Sequence, residues 1–125
     1  MKPQYKKLSD FYWYYLTEHK NRISRGLHIF GTLLVLGILA AALIVGKFYL
    51  LWLLPVVGYG FAWVGHAFFE KNKPATFQYP FFSLASDFIM VWDFLTGKLE
   101  KKLSQADEKV EDFKRKNEKF DVKQY

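Results

Sequence analysis

The 125 residues include no cysteine, which excludes disulfides, thiolate catalysis and cysteine-ligated metal sites. Charge is almost as scarce in the centre, where Lys47 is the single formal charge between positions 27 and 69. Histidine is confined to His19, His28 and His66. There is no Gly-rich phosphate loop, no serine nucleophile elbow and no nucleic-acid module, so those chemistries find no footing. No cleavable leader is expected, because the apolar run starts late and far exceeds a signal core. A mean hydropathy near zero conceals this organisation, since it averages an apolar centre with two charged ends.

What is present points to a bilayer. A hydrophobic share of 51% with 20% aromatics is high for a soluble single domain of this size. The first 26 residues hold six Lys/Arg against Asp10 and Glu18, whereas residues 70–125 hold eleven against ten acids. Most of the net +6 therefore flanks the apolar centre on its N-terminal side, which fits anchoring to anionic lipid and no nucleic-acid partner. Segments 27–46 and 48–69 each match the roughly 20 residues of a membrane span and predict a helical hairpin turning at Lys47. Pro55 is expected to kink the second arm.

Residues 8–20 read as a short helix capped by Ser9 or Asp10, with Phe11, Tyr12, Trp13, Tyr14 and Tyr15 ringing it at the headgroup level. Segment 77–97 is apolar but interrupted by Pro80, Ser83, Ser86, Asp87 and Asp93. A third span would carry Lys98, Lys101 and Lys102 away from the basic N-terminal flank, so 81–97 is read as an interfacial helix and both termini as cytoplasmic. Beyond 99, Leu99, Leu103, Ala106, Val110, Phe113 and Phe120 fall on a 4,3 spacing, with Asn117 at the remaining seam position, and predict an amphipathic helix. The expected fold is thus an all-α integral membrane protein: a two-span hairpin, interfacial helices and a charged C-terminal helix. Residues 1–98 form its membrane-embedded catalytic domain, and 99–125 a charged amphipathic tail dispensable for chemistry.

His28 and His66 each lie 19 residues from Lys47, which sets both at one membrane edge, and His19 precedes the first arm on that side. Gly58, Ala62, His66 and Glu70 follow at four-residue steps and are expected on one face. The cytoplasmic edge should therefore gather His19, His28, His66, Glu70, Asn72 and Asp87, and ionisable groups at such a depth favour a site. Imidazoles with a carboxylate suit non-haem iron with open positions. The H-E-x-x-H zinc motif and the paired Glu-x-x-His di-iron signature are both missing. Two rivals stay open: a haem held by His28 and His66, and a non-catalytic membrane packing or lipid-binding protein.

The run Gly65-His66-Ala67-Phe68-Phe69-Glu70-Lys71-Asn72-Lys73-Pro74-Ala75-Thr76-Phe77, then Pro80 and Ser83-Leu84-Ala85-Ser86-Asp87-Phe88, resembles the hallmark of one small membrane family. His19 ahead of Arg25-Gly26-Leu27-His28 and Gly31-Thr32 resembles it too, so the likeness covers roughly residues 8–98. The family is that of the fungal endoplasmic-reticulum 2-hydroxy fatty acid dioxygenase and its small bacterial relatives. The resemblance implies a dioxygenase dependent on ferrous iron, Fe(2+), that shortens a 2-hydroxy fatty acid by one carbon in alpha-oxidation. It assigns iron to His19, His28 and His66, and the one-turn offset of Glu70 from His66 adds that residue as a catalytic candidate. Glu70 and Asp87 are read as carboxylates on or beside the ligands, and Asn72 as a helix-end or substrate partner. Arg25, Lys71 and Lys73 are candidates to pair the substrate carboxylate, and Phe61, Trp63, Phe68 and Phe69 to flank its tail. The implied partners are the 2-hydroxy acid, molecular oxygen and membrane lipid, with a homo-oligomer left open. The implied location is the inner membrane of a bacterium or the endoplasmic reticulum of a eukaryote.

Overall fold

The computed structural model describes residues 5–73 and 77–123, with side chains as far as Asn117. Among them there are helices and no strand. The Pro74-Ala75-Thr76 part of the motif and the Phe120 side chain lie outside the described residues.

Helix α1 (Leu8–Thr17) starts after Lys7 with no side-chain cap, so Ser9 and Asp10 lie within its first turn and neither is the cap the sequence predicts. Asp10 there still opposes the positive end of the helix dipole. Phe11, Tyr12, Tyr15 and Leu16 share one face and are buried with Tyr5, Ile29, Met90, Val91, Leu99 and Ala106. The aromatics expected at the headgroup level thus build a protein core instead. The 11, 12, 15, 16 spacing is that of an ordinary buried helix face.

Helix α2 (Arg22–Val45) begins five residues before the apolar run because Asn21 caps it, its side chain accepting from the N–H of Ile23 and Ser24 at 2.9 and 3.1 Å. It ends at Gly46, whose φ of 77° permits the turn before Lys47. The second arm is built in three pieces: a 3-10 helix (Phe48–Trp52), α3 (Leu53–Val64) and a π-helix (Gly65–Glu70). Pro55 falls in the first turn of α3, where a missing N–H interrupts nothing, so the expected mid-span kink becomes a change of helix type before it. The stretches Arg22–Val45 and Phe48–Glu70 are long and apolar enough to cross a membrane. α3 buries none of its residues.

The two arms approach closely at small residues. A Cβ at Gly31 would stand 2.9 Å from Cβ of Phe61, and one at Gly65 would stand 2.8 Å from Oγ of Ser24. Both contacts flank the histidines at 28 and 66 and set the backbone spacing there.

Helix α4 (Pro80–Leu95) starts with proline in its first turn, and Gly97 at φ 75° turns the chain into α5 (Leu99–Lys123). The heptad-like seam of α5 faces α1: Leu99, Ala106 and Val110 are buried, and Leu103 and Phe113 pack on the same core. Asp93, buried on α4, accepts from Tyr12 Oη at 2.7 Å and from Lys102 Nζ at 2.9 Å, so one carboxylate links α1, α4 and α5. The C-terminal helix is therefore packed into the fold against α1 and α4.

Candidate metal centre

His19, His28 and His66 are all buried, and each presents one ring nitrogen within 4.8 Å of the others. The rings stand nearly perpendicular in pairs, with centroids 4.3 to 4.9 Å apart. His28 comes from α2, His66 from the π-helix, and His19 from the turn between α1 and α2. π-turns recur where a side chain must leave the regular helical register. Here the π-helix carries His66 against His28 and ends at Glu70, which meets the cap of α2 at Asn21.

The outer nitrogen of each ring has an oxygen to face. Nδ1 of His19 lies 2.6 Å from the carbonyl of Tyr15, and Nδ1 of His66 lies 2.6 Å from Oδ1 of Asn72. The Asn72 amide cannot be reversed without loss, because its Nδ2 donates to both the carbonyl and Oε2 of Glu18, at 3.1 and 2.6 Å. Nδ1 of His28 stands 3.5 Å from Oδ1 of Asp87, a carboxylate that also accepts from Tyr15 Oη. Protons therefore belong on Nδ1 of His19 and of His66, whose Nε2 lone pairs are left to the interior. Nε2 of His19 and of His28 are only 3.1 Å apart. At that distance the His19 lone pair either accepts from Nε2 of His28 or, with His28 in its other tautomer, shares one cation with it. For two nitrogens at right angles about 2.1 Å from one ion, the separation is about 3 Å. The donor set fits a metal, with outer oxygens orienting each ring as metal-bound histidines generally require.

Burial, then the neighbouring imidazoles of His28 and His66, hold His19 well below the usual imidazole range, so it is neutral and able to donate its lone pair. Burial and then Asp87 push the Tyr15 hydroxyl well up, which keeps it a donor to that carboxylate. A haem between His28 and His66 would need ring centroids about 6 Å apart across the macrocycle, given metal–nitrogen bonds near 2 Å. At 4.9 Å, with His19 beside both, there is no room for one.

The remaining residues singled out from sequence are dispersed. Glu70 accepts the N–H of Asn21 at 2.7 Å, tying the end of the second arm to the start of the first. Arg25 donates to the carbonyls of His19 and Lys20 at 3.0 and 2.7 Å and so braces the turn that carries His19. Lys71 and Lys73 are exposed. Glu18 was not singled out, and the sequence carries no signal for it beyond its place next to His19.

From the histidines a cavity of about 370 Å³ runs between the arms of the hairpin. Thr32, Val35 and Leu39 line it on α2, Leu54, Gly58 and Ala62 on α3, and Ser83, Leu84 and Phe88 on α4. No Lys or Arg lines it, and Asp87 is the one carboxylate that does. Of the aromatics expected there only Trp63 takes part, since Phe61 packs on Gly31 and Phe30, and Phe68 and Phe69 are exposed.

A family model described as 2-hydroxy-palmitic acid dioxygenase Mpo1-like matches residues 5–99. No curated protein and no solved structure matches the chain.

Proposed function

The chain belongs to the 2-hydroxy-palmitic acid dioxygenase Mpo1-like family, and from that premise we propose that it is a membrane-embedded, iron-dependent dioxygenase shortening 2-hydroxy fatty acids by one carbon. The observation that carries the reading is the convergence of three buried imidazoles, their outer nitrogens committed to oxygens, at the head of an apolar cavity. His19, His28 and His66 would hold ferrous iron, which supplies the activation of oxygen that organic side chains cannot provide. The C1–C2 bond breaks, and loss of C1 as carbon dioxide, with the four electrons passing to O2, balances the shorter acid and one water.

The protein's own groups do the rest. The Tyr15 carbonyl, Asp87 and Asn72 orient the imidazoles, and the apolar walls of the cavity receive the chain. From His66 to Leu54, or from His28 to Leu39, the lined helices rise about 16 to 18 Å, room for an extended chain of about a dozen carbons. With no cation in the cavity, the charge of the acid head is balanced at the metal, so head-group binding depends on loading. The arms are read as two spans with the histidine end and both termini on the cytoplasmic side, because the outer apolar faces have no protein to cover them.

Anaerobic purification with metal analysis, followed by mass spectrometry of a 2-hydroxypalmitic acid reaction, tests the activity. One iron per chain and an oxygen-dependent acid one carbon shorter are expected. Stoichiometric zinc without turnover, or no metal at all, would remove the dioxygenase. Cysteine placed at Lys47 should label only from the side opposite Lys71.

A further inference from the structure

Buried hydroxyls almost always find a partner, and those that do not ask for a ligand or a packing reason. Ser24, Ser83 and Ser86 each bury Oγ with no hydrogen bond. Ser24 has a packing reason, since its Oγ sits where a side chain at position 65 would stand. Ser86 is fully buried and does not line the cavity. Ser83 is 5% exposed and does line it.

Its position is specific. Ser83 lies one turn along α4 from Asp87, the residue facing His28, and Thr32 lies one turn along α2 from His28 itself. Ala62 stands in the same relation to His66. A tier of two hydroxyls and one methyl thus lies next to the histidines, where the polar head of an amphiphile gives way to its chain. The other polar groups near that head are already engaged: Tyr15 Oη donates to Asp87, and Arg25 is held by two backbone carbonyls. Lys71 and Lys73 lie outside the cavity.

We propose that Ser83 is a substrate-binding residue whose hydroxyl donates to the carboxylate of the fatty acid at the histidine end of the cavity. The proposal rests on the function proposed above for the class of ligand, and it adds the donor that selects an acid over other single-chain amphiphiles. Thr32, across the cavity, completes the polar tier on the α2 side.

The test measures binding to the iron-loaded protein in nanodiscs under anaerobic conditions, with 2-hydroxypalmitic acid and the matching 1,2-diol as probes. Ser83→Ala should weaken the acid by about ten- to a hundredfold, the range for a hydrogen bond to a charged group, and leave the diol unchanged. Because the variant deletes a buried hydroxyl that has no partner, its iron content and thermal midpoint should match or exceed those of the parent. Ser83→Thr should restore the acid. Equal loss of both probes, a lowered midpoint with lost iron, or unchanged acid affinity would each overturn the proposal. If the parent binds the acid through Ser83 but does not shorten it, the assigned reaction fails and the binding site stands. If the parent binds neither probe, both fail.

Discussion

The molecule has two halves that use hydrophobic residues in opposite ways. In the hairpin, Leu43, Ile44, Trp52 and Val56 point outward, and α3 buries nothing. In the cap formed by α1, α4 and α5, Phe11, Tyr15, Leu16 and Met90 are fully buried in a core to which the hairpin adds Ile29. The hairpin leaves its outer apolar faces uncovered, whereas the cap gathers most of its aromatics inward and leaves apolar side chains such as Phe81, Trp92 and Leu95 exposed on α4. The histidines lie on the seam: two come from the arms, and the third is carried by the cap where it enters α2. The centre can form only while the two halves are held in register, and each prediction below loosens one part of that seam.

The largest effect is expected at the imidazoles. His19→Ala, His28→Ala or His66→Ala should each lower bound iron to background while the protein remains in the membrane fraction. Two remaining nitrogens in a protein site rarely hold a divalent ion against buffer. Full iron in any one of the three variants would break the picture of a shared ion. Loss from His19→Ala is the most telling, since that residue alone belongs to the cap side.

Next comes the join between α5 and the rest. Truncation after Lys98 removes Ala106 and Val110 from the core and leaves Asp93 without Lys102, its cationic partner. A buried carboxylate deprived of its partner is costly, and we expect the truncated protein to lose its thermal transition and its iron together. Lys102→Met is the milder form, about 1 to 3 kcal/mol of stability, because Lys102 is itself about a third exposed. Retained iron in a truncated protein that still melts cooperatively would mean that α1 holds His19 without help.

These effects separate what the sequence discloses from what it hides. The hairpin and its turn at Lys47 are legible because a long stretch with one charge has few physical readings. His28 and His66 are legible as a pair because helical rise converts equal spacing from the turn into equal depth. The bond from Asn21 to Glu70 is hidden, because it depends on how the two arms meet at the π-helix and not on spacing along one helix. The aromatics of α1 are misjudged because Tyr and Trp serve both at membrane interfaces and in cores. Only the packing of α4 and α5 decides which. Glu18 is invisible beforehand, since its role depends on Asn72 arriving from the far end of the hairpin.

The smallest effect, and the sharpest test of the seam, concerns that pair. Asn72 follows the second arm, Glu18 closes α1, and between them they fix the tautomer of His66. Asn72→Ala should weaken metal affinity about 10- to 100-fold, the usual scale for losing an outer partner of a liganding histidine. Asn72→Asp is more discriminating. It keeps an oxygen for Nδ1 of His66 but replaces the donating amide with a second carboxylate beside Glu18, where Nδ2 now lies 2.6 Å from Oε2. Like charges at that distance repel, so affinity should fall although the acceptor for His66 is retained. Adding Glu18→Gln supplies a donor in place of the charge and should recover most of the loss. Metal titration of the four proteins in that cycle would then show a coupling between positions 18 and 72. Additive losses would mean that Glu18 merely lies close to Asn72 and that the cap does not help to orient His66.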